Sequence, residues 1–525
     1  MKLVMRGGER EITNMKPIVP GPRVLILAFD GAGYNQLTEA IRSGKMPRLT
    51  GLMGKEQGGG VFEHAYSAPN ALSILPSTTM AAWSSIFTGA PPAYTGVPGN
   101  EWFVREDMQF FAPAPVSIKD TDDTVQMIAH DLVGRSLKTP TLFQQVGVRS
   151  AVSLNPVHRG ADVYTTAETT AYLKMSTDFI ESKFGSSEGA QNLYVQLDVT
   201  SVPKVIDALN TQGVPNIQVV YFPGIDLYTH LASDPLPMEV AYLETVTDGL
   251  VGQILDAYQA HDALDQTYIV IIADHGHTPV LKDDRHALGA VPDESVPGVI
   301  RDAGYRLRKW VLNPGPSDQD YQAAFAYQGA IAYLYLADRS TCANPGDKCD
   351  WKRPPRFNED VMPALRAIYE VNKTGQTNPA LKGAIDLIFS RKPSPPGKDT
   401  TEFEIFDGHR LVPIPDYLAA HPRPDLLDLD RRMRWLSVGP YGNRAGDILM
   451  LSRSGLQLPI NKRYYFSGPY NSWHGSASAQ DSHIPFILAS KTKSGTELQA
   501  LMARDASNAP SQLDMVPMVR ALLGH

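Results

Sequence analysis

The chain has 525 residues, 43% hydrophobic and 20% charged, with a formal charge of -8 from 48 Lys and Arg against 56 Asp and Glu. That length permits a large buried core and two or three domains, while the acidic balance excludes nucleic-acid or anionic-membrane binding driven by bulk charge. No apolar run reaches the roughly 18 residues of a membrane helix, and residues 1–22 are polar and basic without an apolar h-region, so they read as an N-terminal extension with no visible signal peptide.

Residues 23–31 read as a buried strand that ends on a carboxylate, Asp30, and a glycine. A helix-like stretch follows at 36–42. Pro76, Ser77 and Thr78 then lead a run of helix-tolerant residues closed by Gly89 and the pair Pro91-Pro92. Thr79 is thereby placed at or just before a helix N-terminus, where unpaired N–H groups and the helix dipole favour a phosphate or oxyanion. An isolated Ser-Thr-Thr is more often an ordinary N-cap. Residues 139–146 read as helix and 150–154 as a short strand. The strand 217–222 runs into Asp226 and His230, spaced i, i+4, and 238–259 has the 3.6-residue apolar spacing of one long helix. The strand 267–273 ends in Asp274-His275-Gly276-His277.

Strand, helix, strand in succession predicts an α/β fold with a mostly parallel central sheet and helices on both faces. In such sheets the chemistry sits at the carboxyl ends of the strands, where Asp30, Asp226 and Asp274 each fall. Residues 279–461 are richer in Pro, Gly and charge but contain strand-like stretches at 330–336 and 447–451 and a helix near 361–371. They read as a lid or subdomain inserted in a catalytic domain spanning 23–525. Residues 464–491 return to the core with His474 and a closing strand at 485–489, and a helix at 513–523 ends the chain. Cys342 and Cys349, the only cysteines, flank six turn-forming residues that would let a disulfide close. They favour an oxidising compartment, periplasmic or secreted.

Singly, each Asp or His is better explained as a turn cap or a satisfied surface group. Together, carboxylates and imidazoles after apolar strands suit two zinc-class ions, each with three protein ligands and an open position. With these motifs in order, the chain resembles the alkaline phosphatase superfamily, and within it the type I phosphodiesterase / nucleotide pyrophosphatase branch. Thr88-Gly89 sets the family's nucleophile at Thr79 and its Asn at Asn100. The family's Asp-x-x-x-His, Asp-His-Gly and His-Gly-Ser motifs match at Asp226/His230, Asp274/His275/Gly276 and His474/Gly475/Ser476.

The resemblance implies one zinc on Asp30, Asp274, His275 and Thr79, and a second on Asp226, His230 and His474, with manganese or iron as alternatives. It implies that Thr79 attacks phosphorus, that water hydrolyses the phospho-threonine, and that Asn100 with a backbone N–H near Met80 holds a phosphoryl oxygen. The partner it implies is a small-molecule phosphate ester. Met80 stands where nucleotide-cleaving members carry an aromatic residue, and Trp83, Trp102 and Phe103 are the candidates to stack on a substrate instead. Arg159, and less so His158, is the candidate cation for the alternative reading as a phosphate monoesterase. A degenerate, non-catalytic binding member is a third reading, disfavoured because all six ligands, Thr79 and Asn100 are present. His277, His286 and Arg285 have no assigned role and are best read as supporting or solvent-facing.

Overall fold

The computed structural model describes residues 15–117, 131–166, 187–291, 295–394, 399–502 and 510–525. Residues 1–14 of the N-terminal extension lie outside the described residues. Its remainder is tied to the body of the protein, with Val19 N–H donating to Asn216 Oδ1 at 2.9 Å and Arg149 N–H to the Pro17 carbonyl at 2.9 Å.

Among the described residues nine strands form the central sheet: β1 (Arg23–Phe29), β2 (Glu56–Gly58), β3 (Val61–Phe62), β4 (Ala65–Ser67), β5 (Ser150–Ser153), β6 (Val163–Thr165), β7 (Ile217–Phe222), β8 (Thr267–Ala273) and β9 (Phe486–Ala489). Their spatial order is β2-β3-β4-β9-β8-β1-β7-β5-β6. The five strands from β8 to β6 are mutually parallel, as the alternation of strands and helices predicts. The other half, β9 and β2 to β4, is antiparallel, which makes the sheet mixed. Val24 to Phe29 are all fully buried, so both faces of β1 are covered and its sequence is a continuous apolar run. Leu37, Leu49, Phe87, Ile254 and Val519, from five different helices, join the strands in one core. Burying such side chains stabilises the fold by about 1.5–3 kcal/mol each.

Register decides where the site forms. Phe29 pairs with Ala273 on one side and with Phe222 on the other. Asp30 and Asp274 therefore leave neighbouring strands at the same level, and the helix Gly224–Leu231 starts beside them.

Two helix expectations change. The stretch 139–146 is helical only over Leu142–Gln145, because Pro140 cannot continue a helix upstream and Thr141 caps it with Gln144. The long helix starts earlier, at Pro235, and runs to Ala260 through a π-helical turn at Leu243–Thr247.

Residues 279–461 carry a second sheet, antiparallel, with strands Ala323–Tyr327, Ile331–Leu336, Ile448–Ser452, Ile385–Ser390, Glu404–Phe406 and Leu411–Pro413 in that spatial order. Side chains alternate across it: Ile331, Tyr333 and Tyr335 enter one core, Ala332, Leu334 and Leu336 another. Cys342 and Cys349 are disulfide-bonded and buried beside Trp351. Among the described residues no helix is long and apolar enough to cross a membrane.

Candidate active site

Three carboxylates and four imidazoles converge at the carboxyl end of the parallel strands. Asp30 follows β1, Asp274 and His275 follow β8, and Asp226 and His230 lie on the helix after β7. His474 follows the short strand Ser472–Trp473, which pairs with Thr278–Pro279 just beyond His277. All are buried. Two sets of three, Asp30/Asp274/His275 and Asp226/His230/His474, each bring their ligand atoms within 4.8 Å of one another, and so does Asp226/His275/His277.

The histidines are aimed by their own backbone partners. Nδ1 of His230 meets the Ser472 carbonyl at 2.7 Å, that of His474 the Ser77 carbonyl at 2.9 Å, and that of His275 the Gly276 carbonyl at 3.2 Å. A carbonyl only accepts, so each Nδ1 carries the proton and each Nε2 presents a lone pair to the cluster. Nε2 of His230 and of His474 lie 3.4 and 3.7 Å from Asp226 Oδ1, and Nε2 of His275 lies 3.3 Å from Asp274 Oδ2 and 3.6 Å from Asp30 Oδ1. A tetrahedral zinc-class ion with bonds near 2.0–2.1 Å spaces its ligand atoms roughly 3.3–3.4 Å apart.

Asp30 and Asp274 are each held by one oxygen and bare at the other. Tyr221 hydroxyl donates to Asp30 Oδ2, and the N–H groups of Gly31 and His275 both donate to Asp274 Oδ1 at 3.0 Å. Asp30 Oδ1, Asp274 Oδ2 and Asp226 Oδ1 are buried with no hydrogen-bond partner among the described residues. Uncompensated, a buried charge of this kind costs on the order of several kcal/mol. Burial first, then the neighbouring Asp274 and Asp226 charges, pushes the Asp30 carboxyl well up; burial also raises Asp274. Burial pushes Asp226 the same way, but with a proton rather than a cation on their Nε2 atoms His230 and His277 prevail and hold it well below the usual range. Three bare oxygens facing three imidazole lone pairs fit divalent cations of the zinc class.

Thr79 opens the helix Thr79–Thr88, with Thr78 in extended conformation before it and Gly89 ending it in the left-handed region. Its Oγ1 lies 3.3 Å from His275 Nε2. The next N–H, that of Met80, donates to Asn100 Oδ1 at 3.1 Å. Ser77 ties the approach to this helix to the His474 loop, its hydroxyl donating to the Ser476 carbonyl at 2.9 Å.

The structure does not bring the other expected substrate-binding side chains to the cluster. Trp83 is fully buried between Phe87 and Tyr221, and Trp102 is fully buried on Phe111, so neither ring offers a face for stacking. Phe103 packs edge-on against Trp351. Arg159 is spent elsewhere: its guanidinium donates to the carbonyls of Gly134, Leu137 and Thr139 and to Gln144 Oε1. Met80 stays half-exposed and directly follows Thr79. Two unassigned residues join instead. His277 places Nε2 3.0 Å from Asp226 Oδ1, with Nδ1 on the Ser472 hydroxyl at 3.1 Å, and Tyr221 orients Asp30. The alternation of His275 and His277 was the visible signal for the first; nothing local marks Tyr221 among its apolar neighbours.

A family model for type I phosphodiesterase / nucleotide pyrophosphatase matches residues 24–341. Among curated proteins no relative matches the sequence. Solved structures share the fold. Phosphonoacetate hydrolase from Sinorhizobium meliloti 1021, in complex with phosphonoacetate, is 16% identical with a TM-score of 0.52, covering 97% of this chain and 99% of that one. Murine ectonucleotide pyrophosphatase / phosphodiesterase 5 is 12% identical with a TM-score of 0.50, covering 96% and 95%. With its fold of the alkaline-phosphatase type and the family's match over more than half its length, the chain belongs to the type I phosphodiesterase / nucleotide pyrophosphatase family.

Proposed function

We propose that this phosphoester hydrolase is a two-metal phosphodiesterase that works through a phospho-threonine on Thr79. The observation that carries the reading is the pair of buried ligand sets, Asp30/Asp274/His275 and Asp226/His230/His474, with Thr79 Oγ1 3.3 Å from His275 Nε2. Two zinc-class ions, manganese or iron being alternatives, would when bound lower the hydroxyl pKa and offset charge on the phosphoryl and leaving oxygens.

The residues supply the rest. Thr79 Oγ1 attacks phosphorus and the bond to the leaving oxygen breaks; water then attacks the phospho-threonine in line and Oγ1 departs, giving net retention. Position does much of this work, because Thr79 stands at a helix N-terminus, whose dipole favours a phosphoryl group, although the expected Met80 N–H is already given to Asn100 Oδ1. Asn100 has its Oδ1 on the Met80 N–H, which directs its Nδ2 donors outward, towards an oxygen that gains charge in the transition state. Half-exposed Met80 offers an apolar contact for a substituent.

Diester rather than monoester follows from charge. A monoester dianion gains from an extra cation that a diester uses poorly. The ion-pair contacts of the Asp/His cluster involve no Lys or Arg among the described residues, and the bonds of Arg159 to three carbonyls weigh against the phosphatase alternative. The test is kcat/KM on bis-p-nitrophenyl phosphate against p-nitrophenyl phosphate. The diester is expected to be the better substrate; a more efficient monoester would overturn the reading.

A further inference from the structure

The inserted sheet reaches into this site through one turn. Gln328-Gly329-Ala330 joins the strands Ala323–Tyr327 and Ile331–Leu336. The Gln328 side chain is fully buried, and both ends of its amide are used on the segment that carries Asn100. Oε1 accepts the Asn100 N–H at 2.6 Å, and Nε2 donates to the Glu101 carbonyl at 2.5 Å. Beside it, Tyr327 N–H donates to Glu101 Oε1 at 2.7 Å. The approach is so close that a Cβ on Gly99 would lie 2.0 Å from Gln328 Oε1. On its other side the turn meets the His474 loop: Ala330 N–H donates to the His474 carbonyl at 2.9 Å, and a Cβ on Gly475 would lie 2.2 Å from the Gln328 carbonyl oxygen.

We infer that Gln328 is a positioning residue, which holds the backbone at Asn100 so that the Asn100 amide sits against the Met80 N–H beside Thr79. Asn100 lies outside any helix or strand, so no ladder sets its place. Its backbone N–H is satisfied by Gln328. Without the amide, that buried N–H and the Glu101 carbonyl lose their partners and the segment must move to find others. The side chain of Asn100 moves with its backbone. A misplacement of about 1 Å can cost about 100-fold in rate. The inserted sheet would then be a working part of the site, acting through a side chain that never touches substrate. This inference rests on the role proposed for Asn100.

The test uses the full-length, metal-loaded protein and bis-p-nitrophenyl phosphate. Gln328→Met keeps the volume and removes both hydrogen bonds; Gln328→Ala is the second variant if the thioether does not fit. Expected for Gln328→Met is a fall in kcat of about 10- to 100-fold, with KM within about 3-fold and metal content per chain unchanged, since lost transition-state contacts fall on kcat. Asn100→Ala alone is expected to cost about 100-fold or more. Combined with Gln328→Met it should cost no more than by itself, because Gln328 acts only through Asn100. Parental kcat in Gln328→Met, losses that multiply in the double variant, or loss of bound metal would each overturn the inference, the last by pointing to His474 instead. An inactive parent, or a fully active Thr79→Ala, would fail the proposed function itself; full activity of Gln328→Met in an otherwise normal enzyme fails only the positioning role.

Discussion

Five of the six ligand side chains in the cluster are prepared by a second contact. Asp30 and Asp274 give one oxygen to the protein and keep the other bare; His230, His275 and His474 give Nδ1 to a carbonyl and keep Nε2. Such pairing fixes rotamer and tautomer before anything binds. Thr79 differs, since among the described residues its hydroxyl has a hydrogen-bond contact with His275 Nε2 alone. Its removal should therefore leave the ligand sets intact. Thr79→Ala is expected to lower kcat on the diester by at least about 10³-fold, as loss of a nucleophile does, with bound metal and Tm close to those of the parent. Steady-state kinetics beside elemental analysis reads this directly, and near-parental turnover would shift the attack to water or to Thr78.

At the scale of elements, the helix Gly224–Leu231 is the part that must not slip, because it carries Asp226 and His230. Its first N–H, on Gly224, donates to Asp198 Oδ1 at 3.0 Å, and Tyr242 hydroxyl donates to Oδ2 at 2.8 Å. Burial pushes the Asp198 carboxyl up to about 7, against the downward pull of these two donors. A raised carboxyl means the folded chain holds a proton that the unfolded chain has released. Between about pH 4 and 7 stability from this group accordingly falls as pH rises, and it is fully present only below the ordinary carboxylate range. The total is at most about 4 kcal/mol. Asp198→Asn removes the titration, so its Tm should gain on the parent's as pH rises from 5 to 8. A difference in Tm that does not change with pH would count against this assignment.

Across the whole molecule, the buried negative charge links metal binding to stability. Asp30 Oδ1 and Asp274 Oδ2 have no hydrogen-bond partner among the described residues, and cations would offset the buried charge at them, so the folded state should bind cations far better than the unfolded one. At a free metal level near 100 times Kd, each ion adds about 2.7 kcal/mol. Chelation is expected to remove two ions per chain, abolish turnover and lower Tm, with zinc-class metal restoring all three. Scanning fluorimetry with elemental analysis checks it; an unchanged Tm in metal-free protein would mean that the cluster tolerates its own charge.

What the sequence determined by itself was local. Strands β1 and β8 carry continuous apolar runs because both faces are buried, and that pattern survives in one dimension. The carboxylates at their ends and Thr79 at its helix start follow directly from chain position. Tertiary structure decided the rest. Trp83, Trp102 and Arg159 were legible as apolar or cationic, but whether they face a substrate or the interior depends on segments packed against them. In the antiparallel half of the sheet only β9 was legible, as an apolar run; β2, β3 and β4 have two or three residues each, too short to carry a period. Gln328 meets Asn100 across 228 residues of chain. A hydrophobic pattern records how far each side chain is buried, not which distant neighbour it meets there, and Gln328 on Asn100, Tyr221 on Asp30 and His277 on Asp226 are all of that second kind.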